Sequence, residues 1–407
     1  MIKDLLKSEF GKGTIILFFT MNVYNFLNFL FHFAMGRMLG PSDYGVLAVL
    51  MSIVYIYGVP TEAIQNIISK YTSNLNYKKK DGKIKFLMIK SLRKGFNISL
   101  ILFVFASILS FILSIFLSIN YWLIFITNFF LFISFSSPIT KGILQGRKKF
   151  WQLGNNLIIE SSLKFVFAVS FVMFGFKVYG AIVGVLFGVL AGFVFSLFFN
   201  KDLLGKKSEK IELPGAYRNS VPYFIIMLVI LLVFSLDVIL AKRFFSPELA
   251  GKYAILSLLG KMIFLGTLAV SKAMFPLTTE RNINNIDSKS VFIKSLILIS
   301  IICVIGILLY LFFPQLIISI LFGKDYIEMA PYLVYSAISL SFLSLTNLVL
   351  LYGLSVDKIR YSGYLFLFLI LEVILLFLFH NSIKEYIIAF MFSNIVMFIG
   401  SFFFLKK

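Results

Sequence analysis

The sequence predicts an all-α integral membrane protein of twelve transmembrane helices in two six-helix lobes. Three observations predict it. First, the 407 residues are 60% hydrophobic and 14% charged, with a mean hydropathy of +0.96. A soluble domain is nearer half apolar and a quarter charged. Second, apolar runs of roughly 20 residues, long enough to cross a hydrocarbon core, recur along the chain. Third, a short pattern occurs twice, as Arg37-x3-Pro41-x3-Gly45-x2-Ala48-x-Leu50 and, 206 residues later, as Arg243-x3-Pro247-x3-Gly251-x2-Ala254-x-Leu256. Each copy lies between two apolar runs, and the offset is almost half the length. A duplicated hydrophobic unit is the pattern of proteins that carry something across a membrane.

The spans fall at 13–36, 44–68, 96–118, 121–140, 151–176, 178–199, 221–242, 252–275, 291–314, 328–352, 361–380 and 386–405. They are helical because the bilayer core has no water to satisfy loose backbone groups. The first span follows three lysines, is too long for a signal-peptide core and lacks a clean small-residue cleavage site, so it reads as a retained helix. Gly40 can end it and Pro41 can open the next. Trp122 and Trp151 sit at span ends, as interfacial anchors do. The 178–199 span carries Gly180, Gly184, Gly188 and Gly192, a smooth face for close packing within the N-terminal lobe. A polar stretch at 201–219, with Lys206, Lys207 and Pro214, separates an N-terminal lobe (1–200) from a C-terminal lobe (220–407). Ser246 suits an N-cap, Pro247 the first helical position and Glu248 the first turn.

With the N-terminus inside, 28 of the 38 Lys and Arg fall in inside segments and 7 at outside ends. That distribution predicts a multi-pass protein of the cell membrane with both termini cytoplasmic. Six spans separate the two copies of the motif, so both halves enter the membrane in the same sense. The expected relation is a pseudo-twofold along the membrane normal.

The net charge of +20 would suggest nucleic acid in a soluble protein. Here the basic residues lie between spans, so the expected partners are membrane lipids and not nucleic acid. Cys303 is the single cysteine, and His32 and His380 are the only histidines. They leave no intrachain disulfide and no His/Cys metal cluster. No cofactor is expected, and no G-x4-G-K-[ST] motif is present for direct nucleotide drive.

Ionisable residues at membrane depth are costly and face a cavity or a partner. Asn25, Asn28 and His32 share one face of the first span and lead to Arg37. Glu62, Gln65 and Ser69 follow in the second. Gln152, Asn156, Glu160 and Lys164 recur at spacing four, so Glu160 and Lys164 can pair along the helix. Asp237 lies in the seventh span, Lys261 and Lys272 in the eighth, and Glu372 in the eleventh. These positions predict a wet cavity between the lobes. Its polar lining would be Asn25, Asn28, His32, Arg37, Asn156, Lys164, Arg243, Lys261 and Lys272. Lys261 and Lys272 suit a phosphate, although Lys272 can instead snorkel to the surface. Glu62, Glu160 and Asp237 are the candidates for a coupling cation. Arg37 and Arg243 read either as headgroup contacts of two hairpins or as the outer rim of that cavity.

The segment Gly36-Arg-Met-Leu-Gly-Pro-Ser-Asp-Tyr-Gly45, Leu236-Asp237 with Ser246-Pro-Glu-Leu-Ala-Gly251, Phe322-Gly-Lys-Asp-Tyr326 and, more weakly, Gln145-Gly-Arg147 carry a resemblance over most of the chain. It resembles the polysaccharide-biosynthesis flippases of the multidrug/oligosaccharidyl-lipid/polysaccharide exporter superfamily. The resemblance implies a non-enzymatic transporter working by alternating access. It would move a polyprenyl-phosphate-linked oligosaccharide from the cytoplasmic to the outer leaflet, driven by a proton or sodium gradient. Two alternatives remain: a cation-coupled multidrug exporter of the same superfamily, and a membrane glycan polymerase. Such a polymerase needs a large outer loop, whereas the longest outside segment here is about 315–327, with only Lys324 and Asp325 as charges.

Overall fold

A computed structural model describes residues 9–211, 221–284, 286–356 and 362–405. Lys3, Lys7, Pro214, Arg218, Lys358, Arg360, Lys406 and Lys407, used above for topology and the linker, lie outside the described residues. Among those described, every regular element is helical. Among the described residues, nine helical segments are long and apolar enough to cross a membrane, with a shorter apolar helix at Ser362–Leu378. The chain is therefore a multi-pass membrane protein. Two of the nine segments contain a break. Gly40 (φ 71°) interrupts Phe19–Tyr77 and Gly175 (φ 88°) interrupts Phe150–Phe199. Both dihedrals lie in the left-handed region that glycine enters without steric cost.

The chain divides into two compact units. Unit 1 comprises Met1–Leu39 and Ile53–Ser220, and unit 2 comprises Gly40–Ser52 and Val221–Lys407. The helices of the first stretch are α1 (Glu9–Tyr57), α2 (Val59–Tyr77), α3 (Asp81–Leu117), α4 (Tyr121–Asn128), α5 (Phe130–Gly146), α6 (Phe150–Phe171), α7 (Lys177–Phe199) and α8 (Lys201–Leu204). The middle of α1, from Gly40 to Ser52, packs with unit 2. Unit 2 also holds α9 (Val221–Phe244), α10 (Pro247–Ile283), α11 (Lys289–Phe312), α12 (Pro314–Leu321), α13 (Leu333–Ser355), α14 (Leu365–Leu378) and α15 (Ile383–Ser401).

In unit 1 the glycine stripe of α7 seats α6. A Cβ on Gly188 would meet the Lys164 backbone at 2.5 Å, and one on Gly180 would meet Phe171 at 2.9 Å. Gly142 and Gly146 play the same part between α5 and α2, where a Cβ would meet Gln65 O at 2.7 Å and Ser69 O at 2.5 Å. At this end Ile68, Leu75, Ile84, Leu87, Met88, Ile139, Ile143 and Leu203 form one buried apolar cluster. The start of the expected linker is tied down on it. Lys85 Nζ donates to Leu204 O (2.5 Å) and Lys206 O (2.9 Å), and Glu209 N donates to Gly82 O (3.1 Å).

In unit 2 the hub is α13, whose small polar residues face its neighbours. Ser336 Oγ donates to Leu256 O at 2.9 Å, beside Gly260 of α10, and Asn394 Nδ2 of α15 donates to Ser339 Oγ at 3.0 Å. Serines let helix backbones approach while supplying a hydrogen bond.

Two helices are much longer than their apolar spans. α3 and α10 each run 37 residues, about 55 Å at 1.5 Å per residue, against a hydrocarbon core of about 30 Å. Hydropathy marks only the part of a helix that lies in lipid. A helix that leaves the bilayer needs no apolar surface, so Lys83, Lys85, Lys90, Arg93 and Lys94 are helical rather than part of a loop.

Candidate functional site

Each unit buries one group of charged side chains. In unit 1 the group is built on α6. Asn156, Glu160 and Lys164 are all buried and lie four residues apart on one face. Asn156 Nδ2 donates to Gly192 O of α7 at 2.6 Å. Glu160 does not take Lys164 as its partner. Lys141 of α5 reaches Glu160 Oε2 at 2.6 Å, with side-chain exposures of 11% and 8%. The apolar run ends at 140, which leaves Lys141 just outside the predicted span. The close glycine packing on α2 instead carries α5 on to Gly146 and brings Lys141 into the interior.

Lys164 is thereby released toward α1. Its Nζ donates to Asn28 Oδ1 at 2.8 Å and lies 4.2 Å from the centre of the Phe31 ring. Asn28 Nδ2 is committed to Tyr24 O at 2.9 Å, which fixes the amide with its oxygen toward the lysine. Among the described residues, Lys164 is a buried cation whose hydrogen-bond acceptor is an amide and not a carboxylate. Glu160, one turn away on the same face, still attracts its charge across space, but the hydrogen bond goes to a neutral amide.

The other expected residues of unit 1 are placed individually. His32 is buried edge-on to Phe31, with ring centroids 5.1 Å apart. Asn25 is exposed and Glu62 half-buried in the first turn of α2. Arg37 is exposed, with its guanidinium 4.6 Å from the Phe33 ring.

In unit 2 the group is built on Asp237 of α9, which is fully buried. Lys261 Nζ donates to Oδ1 at 3.1 Å, Ser257 Oγ to Oδ2 at 2.5 Å and Tyr253 OH to Oδ2 at 3.3 Å. Tyr386 OH of α15 donates to the Asp237 carbonyl at 2.7 Å. Phe234 lies under Lys261, 4.8 Å from ring centre to Nζ. Glu372 of α14 is buried, Asp237 and Lys261 are its charged neighbours, and its Oε1 meets no hydrogen-bond partner among the described residues. Arg243 and Lys272 are exposed and are not part of this group.

Tyr253, Ser257 and Tyr386 were missed in the sequence. The first two were findable, since Tyr253, Ser257 and Lys261 repeat the spacing of four on α10. Tyr386 lies 149 residues from Asp237, and no local pattern announces it. Glu372 stood out as a buried carboxylate, but nothing in the sequence pairs it with α9 and α10.

The two copies of the repeated pattern meet inside unit 2. A Cβ on Gly45 would lie 2.8 Å from the Gly251 Cα, and one on Gly251 would run into the Pro41 carbonyl. Ser246 caps α10 by accepting from Leu249 N at 3.4 Å.

Outside the spans, Arg147 and Lys149 converge on Asp202. Arg147 donates from both terminal nitrogens, at 3.0 and 2.5 Å, and Lys149 Nζ from 3.1 Å. The Arg147 guanidinium brings the Asp202 carboxyl down to about 2, despite an opposing contribution from burial.

The chain is similar in fold to the inward-facing conformation of a multidrug resistance MATE family transporter of the MOP superfamily. The TM-score is 0.73 at 15% identity, covering 94% of this chain and 93% of that one. A eukaryotic MATE transporter aligns with a TM-score of 0.68 at 13% identity over 98% and 97% of the two chains. An outward-facing MATE family transporter aligns with 0.62 at 18% identity over 96% and 94%. At these identities the likeness concerns the fold. No curated protein matches the sequence. The family described as polysaccharide biosynthesis protein matches residues 34–331, nearly three quarters of the chain, and the protein belongs to that family.

Proposed function

We propose that this protein is a flippase for polyprenyl-phosphate-linked oligosaccharides. It moves them from the cytoplasmic to the outer leaflet by alternating access, coupled to a proton or sodium gradient. The observation that carries this reading is Lys164, a buried lysine held by an amide and an aromatic face, with the nearby carboxylate already taken by Lys141. Lys141 and Lys164 share the single carboxylate of Glu160, an excess of buried positive charge that is expensive and that a phosphate would offset. A drug exporter for cationic substrates would gain nothing from it. The family match supports the same direction.

In this reading the nine spans, divided at Gly40 and Gly175 and completed by the Ser362–Leu378 helix, become twelve in two lobes. The contact of Gly45 with Gly251, equivalent positions of two copies, supports a repeat with two-fold character. Both termini are cytoplasmic. The Asp237 group is the coupling site, with Glu372 added to the carboxylates that sequence alone suggested. That acidic surplus favours one second reading, a cation-coupled exporter.

Reconstitution into liposomes separates the two readings. A fluorescent lipid-linked oligosaccharide is loaded in one leaflet, its exposure in the other is followed by lectin binding, and efflux of a cationic dye is measured in parallel. The flippase reading expects protein-dependent exposure of the sugar, reduced about tenfold in Lys164→Gln. Dye efflux without sugar exposure would overturn it.

A further inference from the structure

Unit 1 contains a second polar feature, apart from both buried charge groups. A cavity of about 1030 Å³ opens between the end of α2, the turn joining α5 to α6, and the first turn of α6. This matches the upper end of small-molecule sites, roughly 300–1,000 Å³. Among the described residues, its charged lining consists of Lys70, Arg147 and Lys148, with no carboxylate. Tyr77 and Trp151 stand at its walls, 88% and 60% exposed, and Asn74, Asn76 and Gln152 supply amides.

The walls are rigid where the cations sit. Gly146 presses the turn onto α2, where a Cβ would meet Thr72 Cβ at 2.6 Å. Arg147, Lys148 and Lys149 all return backbone N–H bonds to α5 carbonyls, at 2.9 to 3.0 Å. Lys148 holds a left-handed φ of 58°, which turns the backbone out of the helix. Arg147 is 10% exposed. Its terminal nitrogens serve Asp202, while Nε is buried without a partner among the described residues.

We propose that this cavity receives the phosphate-linked sugar head group of a membrane-anchored carrier lipid. The chemistry of the lining selects that ligand. Lys70 and Lys148 present ammonium donors to phosphate oxygens, and the Arg147 guanidinium adds positive charge to the wall. Tyr77 and Trp151 offer flat apolar faces to the C–H face of a sugar ring, and the amides pair with its hydroxyls in both donor and acceptor senses. Trp151 also stands at the end of a span, at the depth where a carrier lipid presents its head group. The site rests on the flippase reading for the identity of the lipid, but the recognition belongs to unit 1 alone.

The protein contains only Trp122 and Trp151, so full-length Trp122→Phe reports from the cavity. Farnesyl diphosphate-linked N-acetylglucosamine is titrated against its tryptophan emission in detergent, beside farnesyl diphosphate and inorganic pyrophosphate. The expected result is a saturable change with the sugar-bearing probe, whose apparent Kd rises about tenfold in the added double variant Lys70→Gln/Lys148→Gln. By calorimetry, Trp151→Leu weakens the sugar-bearing probe more than farnesyl diphosphate. No saturable change, or an unchanged Kd in the double variant, overturns the site. Equal affinity for inorganic pyrophosphate overturns recognition of the head group. Liposome translocation is the separate readout. If wild-type protein moves lipid-linked sugar while the double variant binds as wild type, the site falls and the transport reading stands. If the double variant loses the probe while wild-type protein moves no lipid-linked sugar, the reverse holds.

Discussion

Removing Lys261 tests whether the unit 2 group acts as one neutralised assembly. The pair lies 3.1 Å apart, with side-chain exposures of 6% for Lys261 and 0% for Asp237. At that separation the attraction is about 5 kcal/mol for an effective dielectric constant near 20. Lys261→Met keeps the length and apolar stem but leaves the Asp237 charge with only the Ser257 and Tyr253 hydroxyls. Breaking a buried pair from one side costs about 3–5 kcal/mol. Asp237→Asn costs less, because Lys261 keeps its contact with Phe234, a cation–π interaction worth about 2 kcal/mol when desolvated. The double variant Asp237→Asn/Lys261→Met removes both charges and returns most of the loss. The double-mutant cycle therefore predicts a coupling of about 2–3 kcal/mol. Unfolding in mixed detergent micelles, followed by circular dichroism, measures all four proteins. Additive losses, with coupling under about 0.5 kcal/mol, would refute the reasoning.

Three further outcomes follow from the geometry. Gly192→Ala places a Cβ on the Glu160 side chain and should cost about 1–3 kcal/mol in the same micelle assay, while alanine at Gly266, which has open space around it, should cost little. The Asp202 carboxyl is depressed from an ordinary 3.8 to about 2, so its contribution to holding α8 is complete above about pH 4 and is lost as pH falls toward 2. Pepsin cleavage near Leu204 should accelerate across that interval in wild-type protein. Arg147→Gln should be cleaved faster at pH 4, and the two proteins should converge near pH 2. Tyr386→Phe removes the hydroxyl that serves the Asp237 carbonyl and should cost about 1 kcal/mol, read as a lower melting temperature.

The membrane class and most span positions were legible, because burial in lipid writes itself into composition and apolar run length. What hydropathy could not reveal was where a helix stops once outside the bilayer. This explains the continuation of α3 and α5 beyond their apolar spans and the misplacement of Lys141. The buried charges were legible one by one, since a charge inside an apolar run stands out. Their partners were not. Glu160 prefers Lys141, 19 residues away, over Lys164 on its own helix, and Lys164 reaches Asn28, 136 residues away. Local spacing finds i, i+4 pairs, and here tertiary packing overrides it. The glycines of α7 were readable as a packing face, but only the structure shows that this face carries the α6 stripe.

The repeated pattern takes on a physical role that duplication alone does not require. A gene duplication leaves two similar hairpins, yet nothing obliges them to touch. Here Gly45 abuts Gly251, and Gly251 abuts the Pro41 carbonyl. Both partners at this crossing are backbone, so neither can yield as a flexible side chain would. Each copy therefore constrains the other, and a side chain at either glycine is excluded even when the other glycine is intact. Gly45→Val and Gly251→Val should each abolish the close approach, and pairing them should not restore it, since two added side chains need more room than one. A cross-link between cysteines at neighbouring Ser42 and Lys252 would report the approach directly. Efficient cross-linking in the Gly45→Val protein would show that the backbones still meet and that the glycines are not what permits it.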